Sequence, residues 1–112
     1  MLELMDRHIA AQTMADLGGV HARTGCLRDA ISCYERSLAC MREVGNRHGE
    51  ARTLASLAGV YLRDGRREDA IDCYESCLAI LREHRDHHGE TQTLHDLQVA
   101  MREFDGVPSR PA

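Results

Sequence analysis

Apolar residues recur three and four positions apart along most of the chain. Leu54, Leu57, Ala58 and Tyr61 form one stripe, and Ala70, Ile71, Tyr74, Leu78 and Leu81 form the next. This spacing gathers side chains on one face of a helix. Met14, Leu17, Gly18 and His21 trace an earlier stripe of the first kind, followed by Ala30, Ile31, Tyr34, Leu38 and Met41 of the second kind; Leu94, Leu97 and Met101 begin a third round. Both prolines fall in the last five residues, so glycine is the only helix breaker before Pro108. The pattern predicts five helices, at about 2–22, 26–44, 48–63, 67–84 and 89–103, with ends good to a few residues. Asp69 and Arg82 sit near the two ends of the fourth, with the signs its dipole favours.

Shifted by 40, the sequence falls onto itself. Residues 11–50 and 51–90 agree at 21 of 40 positions, among them Cys33-Tyr34-Glu35 with Cys73-Tyr74-Glu75 and His48-Gly49-Glu50 with His88-Gly89-Glu90. A period of this length marks a stacked array of supersecondary units. Small residues occupy fixed places in each unit: Gly18 and Ala58 midway along the first helix, Ala30 and Ala70 early in the second, Ser37 and Cys77 seven residues on. Small side chains facing each other let two antiparallel helices approach closely, with Tyr34 and Tyr74 filling the space beside them.

The order Leu57-Ala58-x-x-Tyr61, Gly65, Ala70, Tyr74, Cys77 resembles the tetratricopeptide repeat, over about residues 6–103. The resemblance implies an all-α fold: antiparallel hairpins stacked as a short right-handed solenoid, here two hairpins (about 8–45 and 48–85) and a capping helix at about 89–103, within a domain of residues 1–104 and ahead of a flexible tail at 105–112. The phrase from Arg66 to Leu81, with His88-Gly89-Glu90-Thr91 after it, is similar to the repeats found C-terminal in large bacterial regulators and signalling ATPases.

The ends differ. Gln98 stands where Gly18 and Ala58 stand and suits the polar outer face of a cap. Met1–Met5 corresponds to the end of a second helix, so the chain is expected to start inside a repeat, and Ile9 replaces the glycine of Gly49 and Gly89. One long first helix is expected, with Leu2, Leu4, Met5 and Ile9 uncovered. That patch supports an alternative to simple scaffolding: self-association, most simply as a homodimer.

Composition narrows the function. Eighteen acids stand against 14 bases, all arginine, for a net charge of −4. An acidic chain without a basic stripe does not bind nucleic acid directly. The absence of lysine fits coding bias in a high-GC bacterium. No apolar run has membrane length. Cys26, Cys33, Cys40, Cys73 and Cys77 form no C-x-x-C pair and have helical spacings; they read as buried, reduced thiols of a cytoplasmic protein. No nucleophile elbow, phosphate-binding loop or framed carboxylate pair is present, so no catalytic residue and no cofactor is assigned. His84, His87, His88 and His95 are the one metal-like group in the linear sequence, but Asp86 and Gly89 place a turn between His84 and His88, and no metal site is assigned there.

The binding surface is therefore the candidate site. The resemblance implies that the first helix of each hairpin lines a concave groove. Its positions here are Gln12, Asp16, Gly19 and Arg23, then Arg52, Ser56, Gly59, Leu62 and Arg63, with Ala15, Ala22 and Ala55 between them. The asparagines and the Lys–Asn carboxylate clamp that many relatives use are missing at these places. The implied partner is another protein, or another domain of a parent chain.

Overall fold

The computed structural model describes residues 2–106; of these, Leu2, Leu4 and residues 103–106 are described by their backbone only. Five helices follow one another: α1 (Leu2–Arg23), α2 (Leu27–Glu43), α3 (Arg47–Arg63), α4 (Arg67–Glu83) and α5 (His87–Gly106). No strand occurs among the described residues. Each helix packs on the next, α1 on α2 through α4 on α5, in a slab 56 × 33 × 17 Å. The all-helical array of hairpins expected from the repeat is present. The helix boundaries agree within a residue or two, apart from α5, which runs on to Gly106 rather than ending near 103.

All four corners use one device. The residue before α2 donates its N–H to a carbonyl five residues back (Cys26 to His21, 2.8 Å), and the preceding glycine donates to a carbonyl three back (Gly25 to Ala22, 3.2 Å). The same pair of bonds closes the corners at Asn46, Arg66 and Asp86. This Schellman arrangement needs a left-handed residue just past the helix, supplied by Gly25, Gly45 and Gly65 at φ 84°, 72° and 79°. At the fourth corner the residue is Arg85, at φ 55°. A side chain in that conformation costs roughly 1–2 kcal/mol, partly balanced by the entropy a glycine would lose on folding. Arg85→Gly is accordingly expected to stabilise the fold by about 0.5–1 kcal/mol, read as a higher urea midpoint at unchanged slope.

The long first helix is present, but Gly49 and Gly89 are not the breakers that the sequence suggested. Both lie in the first turn of a helix, where their N–H groups donate to the capping oxygens of Asn46 (2.8 Å) and Asp86 (2.9 Å). A Cβ at either would stand under 3 Å from those capping side chains. Aligned on the repeat, α1 carries Met5 in place of Gly45 and Ile9 in place of Gly49. Neither the left-handed residue nor the open cap position is present, so the helix runs through.

The close approach of paired helices is visible at the small residues. Ser37, wholly buried, donates its hydroxyl to the Ala11 carbonyl at 2.7 Å, and Cys77 at the equivalent place donates its thiol to the Ala51 carbonyl at 3.3 Å. A Cβ on Gly18 would come within 3.0 Å of the Tyr34 ring. Ala30, Ala58 and Ala70 are fully buried in one core with Leu54, Leu57, Tyr61, Tyr74 and Leu78. Polar links join the hairpins, where Tyr61 donates to Glu35 at 2.8 Å and Arg42 donates to buried Glu50; within the second hairpin Arg47 grips Glu83 with bonds of 2.8 and 2.9 Å and also donates to Glu50.

Two sequence expectations need correction. Leu17, placed with the core stripe, is 42% exposed, whereas its counterparts Leu57 and Leu97 are buried. Val20 is likewise exposed where Val60 and Ala100 are buried. Helix α3 is covered by α2 and α5 by α4, but among the described residues no helix covers the corresponding face of α1. The thiols are all unpaired, but only Cys77 is buried; Cys33, Cys40 and Cys73 are half-buried and Cys26 is exposed. Helical spacing gives a cysteine its face, and the neighbouring helices decide whether that face is covered.

Candidate functional site

The first helices of the units, α1, α3 and α5, present equivalent rows of side chains. Gln12, Arg52 and Gln92 form one row, and Asp16, Ser56 and Asp96 another. Two clefts lie along them. The first, about 120 Å³, is lined by Gln12, Ala15 and Asp16 of α1, Arg52, Thr53 and Ser56 of α3, and by Tyr34, Met41 and Gly49. The second, about 240 Å³, lies between α3 and α5 and takes its lining from His48, Arg52, Ala55, His88, Gln92 and Asp96, with Cys77 and Leu81 at its floor. Arg52 borders both.

Of the groove residues expected from sequence, Gln12, Asp16, Arg52 and Ser56 meet in the first cleft. Gly19, Arg23, Gly59, Leu62 and Arg63 do not border either cleft; they lie further along α1 and α3. A Cβ on Gly19 would stand 3.6 Å from an Arg23 guanidinium nitrogen, and one on Gly59 would meet open space. Arg23 and Arg63 are exposed and Leu62 is half-buried. The sequence reading missed the second cleft. Its signal was available: Gln92 and Asp96 repeat Gln12 and Asp16 at the 80-residue shift. Reading α5 only as a cap hid it.

Local bonds organise the polar rows. Gln12 donates to Asp16 at 3.4 Å, and Gln92 donates to Asp96 at 3.2 Å. Each aspartate is thus held by an amide one turn before it, while the centre of the groove carries the guanidinium of Arg52. A cation flanked by two carboxylates, with alanines between, suits recognition of a charged peptide. Burial pushes the Cys73 thiol up to about 11 and raises Cys77 as well, so both stay protonated near neutral pH, the opposite of an activated nucleophile. Among the described residues, no three of His84, His87, His88 and His95 bring their ring nitrogens together.

The self-association residues stand towards the N-terminal end of α1. Met5 and Ile9 are 63% and 57% exposed; the side chains of Leu2 and Leu4 lie outside the described residues.

Stacked antiparallel hairpins with a first-helix groove define a helical-repeat protein of the interaction type. Residues 9–83 match the tetratricopeptide repeat, and the chain belongs to that family. Repeats of this family are generally protein-interaction modules. No curated protein matches the sequence. No helix among the described residues is long and apolar enough to cross a membrane.

Proposed function

We propose that this chain is a non-catalytic scaffold that binds a protein partner along the groove of α1, α3 and α5. The observation that carries this reading is Arg52, which borders both clefts and is flanked by Asp16 and Asp96. An extended segment with an acidic side chain at its centre and basic side chains on either side would pair with all three. Arginine meets a carboxylate through two parallel bonds, giving register as well as affinity. In this reading the array belongs to a larger bacterial cytoplasmic regulatory protein and does not contact nucleic acid directly, in keeping with its net charge of −4. Display of a random peptide library on the immobilised chain tests it. Enriched peptides should share a central acid between bases, and Arg52→Glu should lose them while keeping its helical circular dichroism. Enrichment indifferent to Arg52→Glu would show that the groove is not the binding surface.

One observation supports a second reading, self-association. Met5, Ile9, Leu17 and Val20 are exposed on α1, and the equivalents of Leu17 and Val20 in α3 and α5 are buried. Covering a large aliphatic side chain is worth roughly 1.5–3 kcal/mol, and a two-fold arrangement would close the patch on itself. Light scattering over a concentration series should show a dimer that Met5→Glu/Ile9→Glu dissociates. A monomer at every concentration would exclude it.

A further inference from the structure

We propose that the first corner of the fold, between α1 and α2, is a zinc site formed by His21, Cys26 and Asp29. A ring nitrogen of His21, the sulfur of Cys26 and a carboxylate oxygen of Asp29 lie within 4.8 Å of one another. This is the one set of three such donors that converges among the described residues. Nitrogen, sulfur and oxygen donors of this kind are the zinc repertoire, and three protein ligands leave the fourth tetrahedral place to water. Bond lengths of about 2.0–2.3 Å imply donor separations of roughly 3.3–3.6 Å, so the side chains need to close inward by about 1.5 Å at most. Cys26 and Asp29 are exposed and His21 is half-buried, so they are accessible to solvent and can move.

The convergence follows from the backbone. In the Schellman corner, the residue three places past the last helical residue bonds back to a carbonyl five residues earlier, and the side chains of these two residues meet. Here they are Cys26 and His21, with the N–H to O bond at 2.8 Å. The Thr24 hydroxyl lies between them, 3.1 Å from the His21 carbonyl oxygen and 3.7 Å from the Cys26 sulfur. Asp29 sits three residues into the next helix after its cap, the place from which a side chain reaches back to the cap residue.

The third corner shows that side chains at these three positions do touch. There the equivalents are Tyr61, Arg66 and Asp69. The Arg66 guanidinium lies 4.5 Å from the centre of the Tyr61 ring and bonds Asp69 at 2.9 Å. That corner holds a cation supplied by the chain itself, between an aromatic ring and a carboxylate. The first corner keeps the carboxylate, replaces the ring by imidazole and replaces the arginine by a thiol. It therefore has ligands for a cation where its counterpart has the cation. The other two corners carry Met41, Asn46 and Gly49, and Leu81, Asp86 and Gly89, which supply no such set. On binding, the Cys26 thiol gives its proton to solvent and the thiolate takes the metal. The ion would staple α1 to α2 in the first hairpin of the described residues.

The test uses the full chain, reduced, with zinc alone and with cobalt(II) as the spectroscopic probe. One zinc should bind per chain in competition with a chromophoric chelator. Cobalt should give a sulfur-to-metal charge-transfer band, and zinc should raise Tm. Cys26→Ser should remove the band and weaken zinc at least tenfold, as should His21→Ala, while Cys40→Ser leaves both unchanged. Circular dichroism confirms that the variants fold; both side chains are outside the core. Long-range proton–nitrogen spectra should show only the His21 ring responding to one equivalent of zinc. Absence of stoichiometric binding overturns the proposal. So does binding that survives Cys26→Ser and His21→Ala, or that moves the rings of His84, His87 or His88 instead. None of these outcomes depends on the peptide groove.

Discussion

Leu57→Ala is expected to cost about 2–5 kcal/mol, and Leu17→Ala less than about 1 kcal/mol, although the two leucines occupy the same place in successive repeats. Leu57 is 2% exposed and belongs to the main core with Leu54, Ala58 and Tyr61. Helix α3 is enclosed by α2 on one side and α4 on the other, so truncation there removes transfer free energy and leaves a void that rigid neighbours cannot close. Leu17 is 42% exposed, and water fills whatever its side chain vacates. Urea denaturation of both variants against the parent chain gives the comparison. Equal losses would mean that the outer face of α1 is covered in solution, and would favour the self-associated form; repeating the measurement at tenfold lower protein concentration would reveal that directly.

Ala70→Leu is expected to destabilise the fold by about 1–3 kcal/mol, while Gln98→Ala should change stability by no more than about 0.5 kcal/mol. Ala70 has no exposed surface and sits in the first turn of α4, within the core that also contains Ala58 and Tyr74. Its small size sets how closely α3 and α4 approach, as the Cys77 thiol on the Ala51 carbonyl shows two turns further along the same face. Three added carbons must displace a helix or adopt a strained rotamer. Gln98 is exposed on α5, where no further helix follows among the described residues. Denaturant midpoints of the two variants decide the matter; similar effects would mean that Ala70 does not mark the crossing.

The self-similarity of residues 11–50 and 51–90 was enough to fix the helical hairpin, because periodic apolar spacing and small residues at fixed places are local properties carried through each copy. The buried stripes of α2, α3 and α4 follow it almost residue for residue. Half of the candidate groove was equally legible: Gln12, Asp16, Arg52 and Ser56 share a helical face, and the stacking of first helices brings them to one cleft.

What the sequence could not determine depends on neighbours. Leu17 and Leu57 are the same residue in the same repeat position, and what separates their fates is the helix that lies across α3 and has no counterpart across α1 among the described residues. The second cleft exists because α5 repeats the polar row of α1 while also closing the array. The break expected at Gly49 and Gly89 falls instead at Gly45 and Arg85, since the left-handed residue, not the glycine beside the cap, turns the chain. His21, Cys26 and Asp29 match no linear metal motif; the Schellman bond between Cys26 and His21 folds the corner back and brings them within reach of one another. Sequence by itself determined the repeat unit and the faces of its helices. Tertiary structure decided which faces are covered and which distant donors meet, because burial and convergence are properties of pairs of helices and cannot be carried by one helix alone.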